Sequence, residues 1–223
     1  QKRARAGEGG TRTPEHSRVQ GQVASVKVLV TGFKPFGGET VNPSSTVLPY
    51  LQARFPQIHT RVLPVEFERS WFELQFELER YTPDVVLCLG EAGGRSSISL
   101  EHAALNWADA RIPDNSGQRP RDVKLLEFGP NALFSTLPLR ALESRLKSLE
   151  LPVEISYSAG TYVCNALFYR LLDALEGHNV RAGFIHLPYL PEQTQNKPGK
   201  PGLTLEHTVW ALEEVVKTCL ELG

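Results

Sequence analysis

The chain has 223 residues, which is enough for one domain with a full hydrophobic core and short for two. Its 24 basic and 25 acidic side chains give a formal net charge of -1, so the positive surface typical of nucleic-acid-binding proteins is not expected. Hydrophobic residues make up 41% and charged residues 22%, the balance of a folded globular protein. Composition therefore predicts a globular protein that does not bind nucleic acid.

The first 25 residues are predicted to be a disordered or vector-derived extension, because they are basic and lack the apolar stretch of a signal peptide. One domain then spans residues 26–223. No apolar run reaches the roughly 18 to 20 residues of a membrane helix, so we expect no membrane partner. Three widely spaced cysteines without a CxxC pair argue against disulfides and a structural metal, and we expect a cytoplasmic protein.

The first part of the domain is predicted to alternate strands and helices. In chain order these are a strand at 26–31, a helix at about 45–55, a strand at 60–65, a helix at 67–81 and a strand at 84–90. The helix at 67–81 has the clearest pattern, since an apolar stripe that includes Trp71 and Leu74 repeats at helical spacing. Pro49 is compatible with the preceding helix only within its first turn.

Residues 91–130 are rich in Gly, Pro, Asn and Asp and are predicted to form one long irregular segment, which in a compact domain is usually functional. Regular structure resumes with a helix at 139–149, a strand at 153–158, a helix at 163–176, a strand at 181–187, a loop at 188–202 and a last helix from Leu205 to Leu220. This alternation predicts an α/β fold with three layers, a mostly parallel twisted sheet with helices on both faces. Ligands then bind where the strands' carboxyl ends meet.

Cys164 and His186 are the candidates for nucleophilic chemistry. Cys164 lies near the start of a predicted helix, where free backbone N–H groups stabilise a thiolate. His186 ends the next strand, and a parallel strand–helix–strand unit over 153–187 would place both residues at one edge of the sheet. An inert buried cysteine and a structural histidine remain the alternatives. Spacing leaves open which carboxylate would orient the imidazole: Glu91, Glu101, Asp109 or Asp114.

Six blocks of sequence carry a family resemblance. They are TGFKPFGG at 31–38, VNPS at 41–44, AGGR at 92–95, DARIPDNSG at 109–117, SAGTYVCN at 158–165 and GFIHLPY at 183–189. In this order they closely resemble pyroglutamyl peptidase I, a family also called pyrrolidone-carboxylate peptidase. The resemblance runs from about Val26 to the C-terminus.

The resemblance implies a cysteine exopeptidase that removes an N-terminal pyroglutamyl residue from peptides and uses no metal or cofactor. It implies that Cys164 is the nucleophile, His186 the general base and acid, and Glu101 the third catalytic member. The implied substrate-binding residues are Phe33 and Phe36, which would hold the lactam ring, Asn42, Arg111, Tyr162 and Val163. It also implies a cytoplasmic homo-oligomer, a tetramer.

Glu91 is a departure from the resemblance, because many relatives carry Gln at this position. A carboxylate beside a neutral ring would weaken binding if its side chain contacts the substrate. We expect retained but reduced activity, and the alternative is a catalytically impaired pyroglutamyl-binding relative. A nucleoside-handling enzyme is disfavoured, because neither a GxGxxG nor a GxxxxGK[ST] motif is present.

Overall fold

The computed structural model describes residues 25–222. Residues 1–24, which make up nearly all of the predicted N-terminal extension, lie outside the described residues, as does Gly223. The elements, in chain order, are β1 (Val28–Phe33), α1 (Pro43–Thr46), α2 (Leu48–Arg54), β2 (His59–Leu63), α3 (Phe67–Tyr81), β3 (Val85–Glu91), β4 (Ile98–Glu101), β5 (Ala103–Leu105), β6 (Ala132–Phe134), α4 (Leu139–Ser148), β7 (Val153–Ser156), α5 (Val163–Ala174), β8 (Arg181–Leu187), α6 (Pro191–Thr194) and α7 (Leu205–Leu220).

A six-stranded sheet in the order β2-β1-β3-β8-β4-β7 forms the middle layer. The strands β2, β1, β3 and β8 are parallel to one another. Every residue of the inner strands β1 and β3 is buried, as expected for parallel strands that are covered on both faces. Helices α2, α4 and α7 pack on one face, and α3 and α5 pack on the other. The predicted three-layer α/β fold with a mostly parallel sheet is therefore confirmed.

Two predictions about elements need correction. The segment at 91–130 is not wholly irregular, because β4 joins the main sheet and β5 pairs with β6 in a separate two-stranded ribbon. In β4 the apolar residues Ile98 and Leu100 alternate with buried Ser99 and Glu101, so the strand lacks the continuous apolar run of β3. The helix at 45–55 is two helices, α1 and α2, and Pro49 lies in the first turn of α2 as expected.

The predicted parallel unit over 153–187 is wrong. Strand β7 is parallel to β4, and β4 is antiparallel to β8, so β7 and β8 run in opposite directions. The carboxyl ends of β7 and β8 therefore lie at opposite edges of the sheet. Residues 157–162 lead the chain from the end of β7 to the start of α5, which lies at the carboxyl edge of β3 and β8. None of the helices within residues 25–222 is long and apolar enough to cross a membrane.

The sheet register places the candidate catalytic residues on one face. In β8, His186 pairs with Gly90 of β3 on one side and with Ser99 of β4 on the other. Glu101 pairs with Phe184, two residues before His186, so its side chain is diagonal to the imidazole on the same face. This is the face that α3 and α5 cover, because Phe184 packs with their apolar residues.

Candidate active site

A cavity of about 640 Å³ opens at the carboxyl edge of β3 and β8. Its walls come from the segments after β1, β3, β5, β7 and β8, and it contains both Cys164 and His186. A second groove of about 540 Å³ lies between the C-terminal ends of α3 and α5 and is lined mainly by apolar side chains. That groove contains His178 but no cysteine, so the first cavity is the candidate active site.

Cys164 is the second residue of α5, and its local environment is set by two features of the chain. Tyr162 caps the helix without a side-chain hydrogen bond, so no cap side chain occupies the amides of the first turn. The thiol lies over Gly90, where an added β-carbon would be 2.9 Å from Cys164 Sγ. Because Gly90 is the register partner of His186, the missing side chain leaves room for the thiol beside the histidine strand.

Asn165, the next residue, fastens this end of α5 to the ribbon strand β5. Its side-chain amide accepts a hydrogen bond from Leu105 N at 2.8 Å and donates to Leu105 O at 2.9 Å and to Trp107 O at 3.0 Å. The side chain is fully buried, so these three bonds satisfy its polar atoms. They fix the first turn of α5, and hence Cys164, relative to the cavity.

The pKa of the Cys164 thiol is raised well above its usual value. Burial is the largest cause, and the charges of Glu101 and Glu91 add to it, whereas Arg95 lowers it. The amides at the start of α5 also favour the thiolate. The raised pKa indicates that the resting thiol keeps its proton, so a nucleophilic sulfur requires proton transfer to a neighbouring base.

His186 has a defined partner for one ring nitrogen. Its Nδ1 lies 2.7 Å from Glu101 Oε1, and both side chains are buried. Burial raises the pKa of Glu101, but the hydrogen bond and charge of His186, with smaller effects of Ser156 and Arg95, outweigh burial and lower it overall. An ionised carboxylate can only accept, so Nδ1 carries the hydrogen and Nε2 is left able to take a proton.

The two aspartates that sequence spacing left open have other roles. Asp109 forms an ion pair with Arg121 at 2.7 Å. Asp114 accepts hydrogen bonds from the amides of Phe67, Ser116 and Gln118, and so organises the turn after it. Of the four candidate carboxylates, Glu101 is the one that contacts His186.

The implied substrate-binding residues fall into two groups. Phe36, Tyr162, Arg111 and Glu91 line the cavity, with the rings of Phe36 and Tyr162 6.0 Å apart. Three others lie behind the walls as buried packing or capping residues: Phe33, which packs on Phe184, Val163 in the core, and Asn42, which caps α1.

Glu91 lies at the end of β3 in a cluster that sequence reasoning missed. Gln193 Nε2 donates to Glu91 Oε2 at 2.7 Å and lies 3.3 Å from Glu39 Oε2, while Lys197 pairs with Glu39 at 2.6 Å. Burial, helped by the charge of Glu39, raises the pKa of Glu91 to about 7 against the opposing effects of Gln193 and Lys197. Gln193 and Lys197 lie in the predicted 188–202 loop, and no motif in the sequence marks them.

The chain matches one protein family over nearly all of its described residues. A family model described as pyroglutamyl peptidase matches residues 26–221. The chain belongs to the pyroglutamyl peptidase family. It is 45% identical to a pyrrolidone-carboxylate peptidase of Brevibacillus brevis over 86% of this chain and 92% of that relative. The corresponding protein of Gloeobacter violaceus is 46% identical over 86% of this chain and 96% of its own length.

Solved structures of the pyroglutamyl peptidase family share the fold. The pyroglutamyl peptidase I of Bacillus amyloliquefaciens has a TM-score of 0.84 and 42% identity, and the match covers 88% of this chain and 98% of that one. The pyrrolidone carboxyl peptidase of Thermococcus litoralis also gives a TM-score of 0.84 with 42% identity, over 88% of this chain and 94% of that one. The family resemblance that the six sequence blocks indicated is confirmed.

The Glu91→Gln variant should be stabilised in a pH-dependent way. In the folded protein Glu91 keeps a proton up to about pH 7, whereas the unfolded chain loses it near its ordinary value of 4.5. The wild type therefore loses stability as pH rises from about 4.5 to 7, and the variant does not. Urea unfolding should show the variant gaining on the order of 2 kcal/mol at pH 8 but little at pH 5. An equal difference at both pH values would contradict the raised pKa, and Glu79→Gln on the exposed face of α3 is the control.

Proposed function

We propose that this chain is a thiol-dependent peptidase that hydrolyses the bond after an N-terminal pyroglutamyl residue. The observation that carries the proposal is Cys164 at the start of α5 in the same cavity as His186, whose Nδ1 is held by buried Glu101. Membership of the pyroglutamyl peptidase family supports the same reaction. Cys164 is the nucleophile, His186 the base and acid, and Glu101 the residue that orients the imidazole.

In the first half of the reaction, the sulfur of Cys164 attacks the pyroglutamyl carbonyl carbon as its proton passes to His186 Nε2. The carbonyl oxygen becomes an oxyanion, which the unpaired amides at the start of α5 and the guanidinium of Arg111 stabilise. Collapse of the tetrahedral intermediate breaks the C–N bond. The proton on His186 goes to the leaving amine, and a thioester acyl-enzyme remains.

In the second half, His186 takes a proton from water as the oxygen attacks the thioester. The second tetrahedral intermediate expels the thiolate of Cys164, which recovers the proton from the imidazolium. Free pyroglutamate leaves with a carboxylate group. Glu101 stabilises the imidazolium in both halves because it remains ionised beside Nδ1.

The substrate pocket suits a flat, neutral ring. Phe36 and Tyr162 offer apolar ring faces, and the glycines at 37, 93 and 160 expose backbone groups that can hydrogen-bond to the lactam. Phe33 supports this wall from behind rather than touching the ring, because it is fully buried. A substrate without a free α-amine needs no buried anionic partner, so a protonated Glu91 is compatible with binding.

The catalytically impaired relative is not favoured as the function. Glu91 is engaged by Gln193 and does not contact the His186–Glu101 pair, so the catalytic groups keep their arrangement beside it. The relatives are named pyrrolidone-carboxylate peptidases. We therefore expect Glu91 to change the properties of the pocket without abolishing catalysis.

The Cys164→Ser variant should lose turnover of a pyroglutamyl-arylamide by at least about 1000-fold, because serine is a poor nucleophile without the thiol's polarizable sulfur. Iodoacetamide should inactivate the wild type and label Cys164. Cys219→Ala is the control, since Cys219 of α7 is buried in the core on the opposite face of the sheet from Cys164. Wild-type turnover in the serine variant would rule out the mechanism.

The Glu101→Gln variant should reduce kcat by about 100- to 10,000-fold with little change in KM, because an amide can present its N–H to Nδ1 and stabilise the wrong tautomer. The fold should be retained, since the amide has nearly the shape of the carboxyl. Circular dichroism and active-site titration of the folded fraction check this point. A kcat within threefold of the wild type would exclude Glu101 as the orienting residue.

The proposal extends to a cytoplasmic homotetramer, on the basis of the family resemblance. Three free cysteines, two of them buried in the core, suit a reducing compartment. Light scattering after size-exclusion chromatography should give about four times the mass of one chain. A monomer mass at micromolar concentration would contradict the tetramer without affecting the assignment of the reaction.

A further inference from the structure

Arg95 follows β3 and lies in the cavity wall, where its guanidinium connects two parts of the site. Its Nη1 donates to Glu101 Oε1 at 2.6 Å, and its Nη2 donates to the carbonyl oxygen of Ser158 at 3.3 Å. The side chain is 30% exposed, so the pair with fully buried Glu101 is only partly screened by solvent. Neither Glu101 nor Ser158 is among the residues proposed to bind the lactam ring.

Arg95 and His186 share one oxygen of Glu101. His186 Nδ1 lies 2.7 Å from the same Oε1 that accepts from Arg95, whereas Oε2 has no hydrogen-bond partner among residues 25–222. The hydroxyl of Ser156, on the neighbouring strand β7, donates to the carbonyl oxygen of Ser158 at 3.2 Å and not to Glu101 Oε2. Two donors on Oε1 fix the rotation of the carboxyl about its Cγ–Cδ bond, which a single bond to a histidine does not do.

The contact with Ser158 extends this effect to the segment before Cys164. Ser158 begins the turn that leads to α5, and its hydroxyl accepts from Gly160 N at 3.2 Å. Ala159 and Gly160 line the cavity, and Gly160 has a φ of +82°, a left-handed conformation that glycine adopts without strain. The guanidinium therefore ties the orienting carboxylate to the turn that delivers the nucleophile.

The position of Arg95 depends on the glycines of the AGGR block. Gly94 has a φ of +96°, and a β-carbon on Gly93 would overlap the ring of Tyr189. These two residues let the backbone turn tightly under Tyr189 before Arg95. The block that carried part of the family resemblance thus places a cation beside Glu101 and Cys164.

We propose that Arg95 is a positioning residue that fixes the Glu101 carboxylate against His186 and couples it to the turn before Cys164. This inference rests on the proposed function, because it assigns a role within the same site. Arg95 acts through Glu101 and the Ser158 turn and contacts no reacting atom. Its charge also opposes the carboxylates that disfavour the thiolate of Cys164.

Three variants test this role with the arylamide assay. Arg95→Ala should lower kcat by about 10- to 100-fold and leave KM within about twofold, because positioning affects the transition state more than ground-state binding. Arg95→Lys keeps the charge but cannot form the fork of two hydrogen bonds, so its kcat should fall about 5- to 10-fold. Arg121→Ala, which removes an exposed guanidinium paired with Asp109, is the matched control and should keep wild-type kcat.

Two further measurements separate positioning from a merely structural role. Guanidinium chloride at about 20 mM, well below denaturing concentrations, should restore part of the kcat of Arg95→Ala and none of the kcat of Glu101→Gln. The rate constant for alkylation of Cys164 by iodoacetamide at pH 8 should fall about threefold in Arg95→Ala, because the nearby cation is lost and less of the thiol is ionised. Alkylation needs no turnover, so this readout is independent of the reaction assigned.

The outcomes are decisive for each proposal separately. If the wild type does not cleave the arylamide, the proposed function fails, whatever Arg95 does. If the wild type is active and both Arg95 variants keep its kcat, or raise only KM, the positioning role is wrong. If Arg95→Ala does not fold, the kcat of Arg95→Lys decides alone, and a value within twofold of the wild type overturns the proposal.

Discussion

The hydrogen bond between His186 Nδ1 and Glu101 Oε1 is the contact around which the site is arranged. It joins β8 to β4, which among the strands of the main sheet within residues 25–222 are the one pair of neighbours that runs antiparallel. Antiparallel pairing places Glu101 diagonal to His186 at a depth where both side chains are buried, and a buried carboxylate is stable only when it is paired and hydrogen-bonded. The reversal of β4 thus provides the imidazole with a permanent acceptor that solvent does not compete for. Strand β7 pairs with β4 in parallel, so β7 also runs opposite to β8, and residues 157–162 return the chain to Cys164.

Charges of both signs act on the thiol of Cys164, and its pKa is raised overall. Glu101 and Glu91 disfavour the thiolate, whereas Arg95 and the amides at the start of α5 favour it. A thiol that keeps its proton at rest is less exposed to oxidation and unspecific alkylation, since the thiolate is the reactive species. Transfer of that proton to His186 creates an imidazolium beside ionised Glu101, so the same carboxylate that opposes the free thiolate supports the charge pair from which attack proceeds.

The sequence alone predicted Cys164 and His186 and the three-layer fold, because both depend on local patterns: a helix start, a strand end and apolar periodicity. It predicted their proximity for a wrong reason, since β7 and β8 are not parallel. Glu101 was identified through the family resemblance, and spacing left it among four carboxylates. Its selection requires β4, a four-residue strand with buried polar residues that no apolar run marks. Family resemblance likewise indicated Phe33, but not that this ring would be buried behind the cavity wall, because resemblance transfers positions and not exposure.

Glu91 shows how the neighbours of a buried carboxyl accommodate it. Gln193 Nε2 approaches both Glu91 and Glu39, and Lys197 neutralises Glu39 directly at 2.6 Å. The cluster therefore contains two carboxyl groups but one cation, Lys197. Glu91 is the more buried of the two carboxyl groups, and its pKa rises to about 7. A protonated carboxyl presents a donor and an acceptor, as the amide of Gln does with one donor more, so the neutral form of Glu91 can make the same two kinds of hydrogen bond as Gln. As pH rises above 7, Glu91 ionises and the pocket gains a negative charge that an amide would not supply. Glu and Gln at this position therefore differ in how the charge of the pocket depends on pH, and hardly in shape.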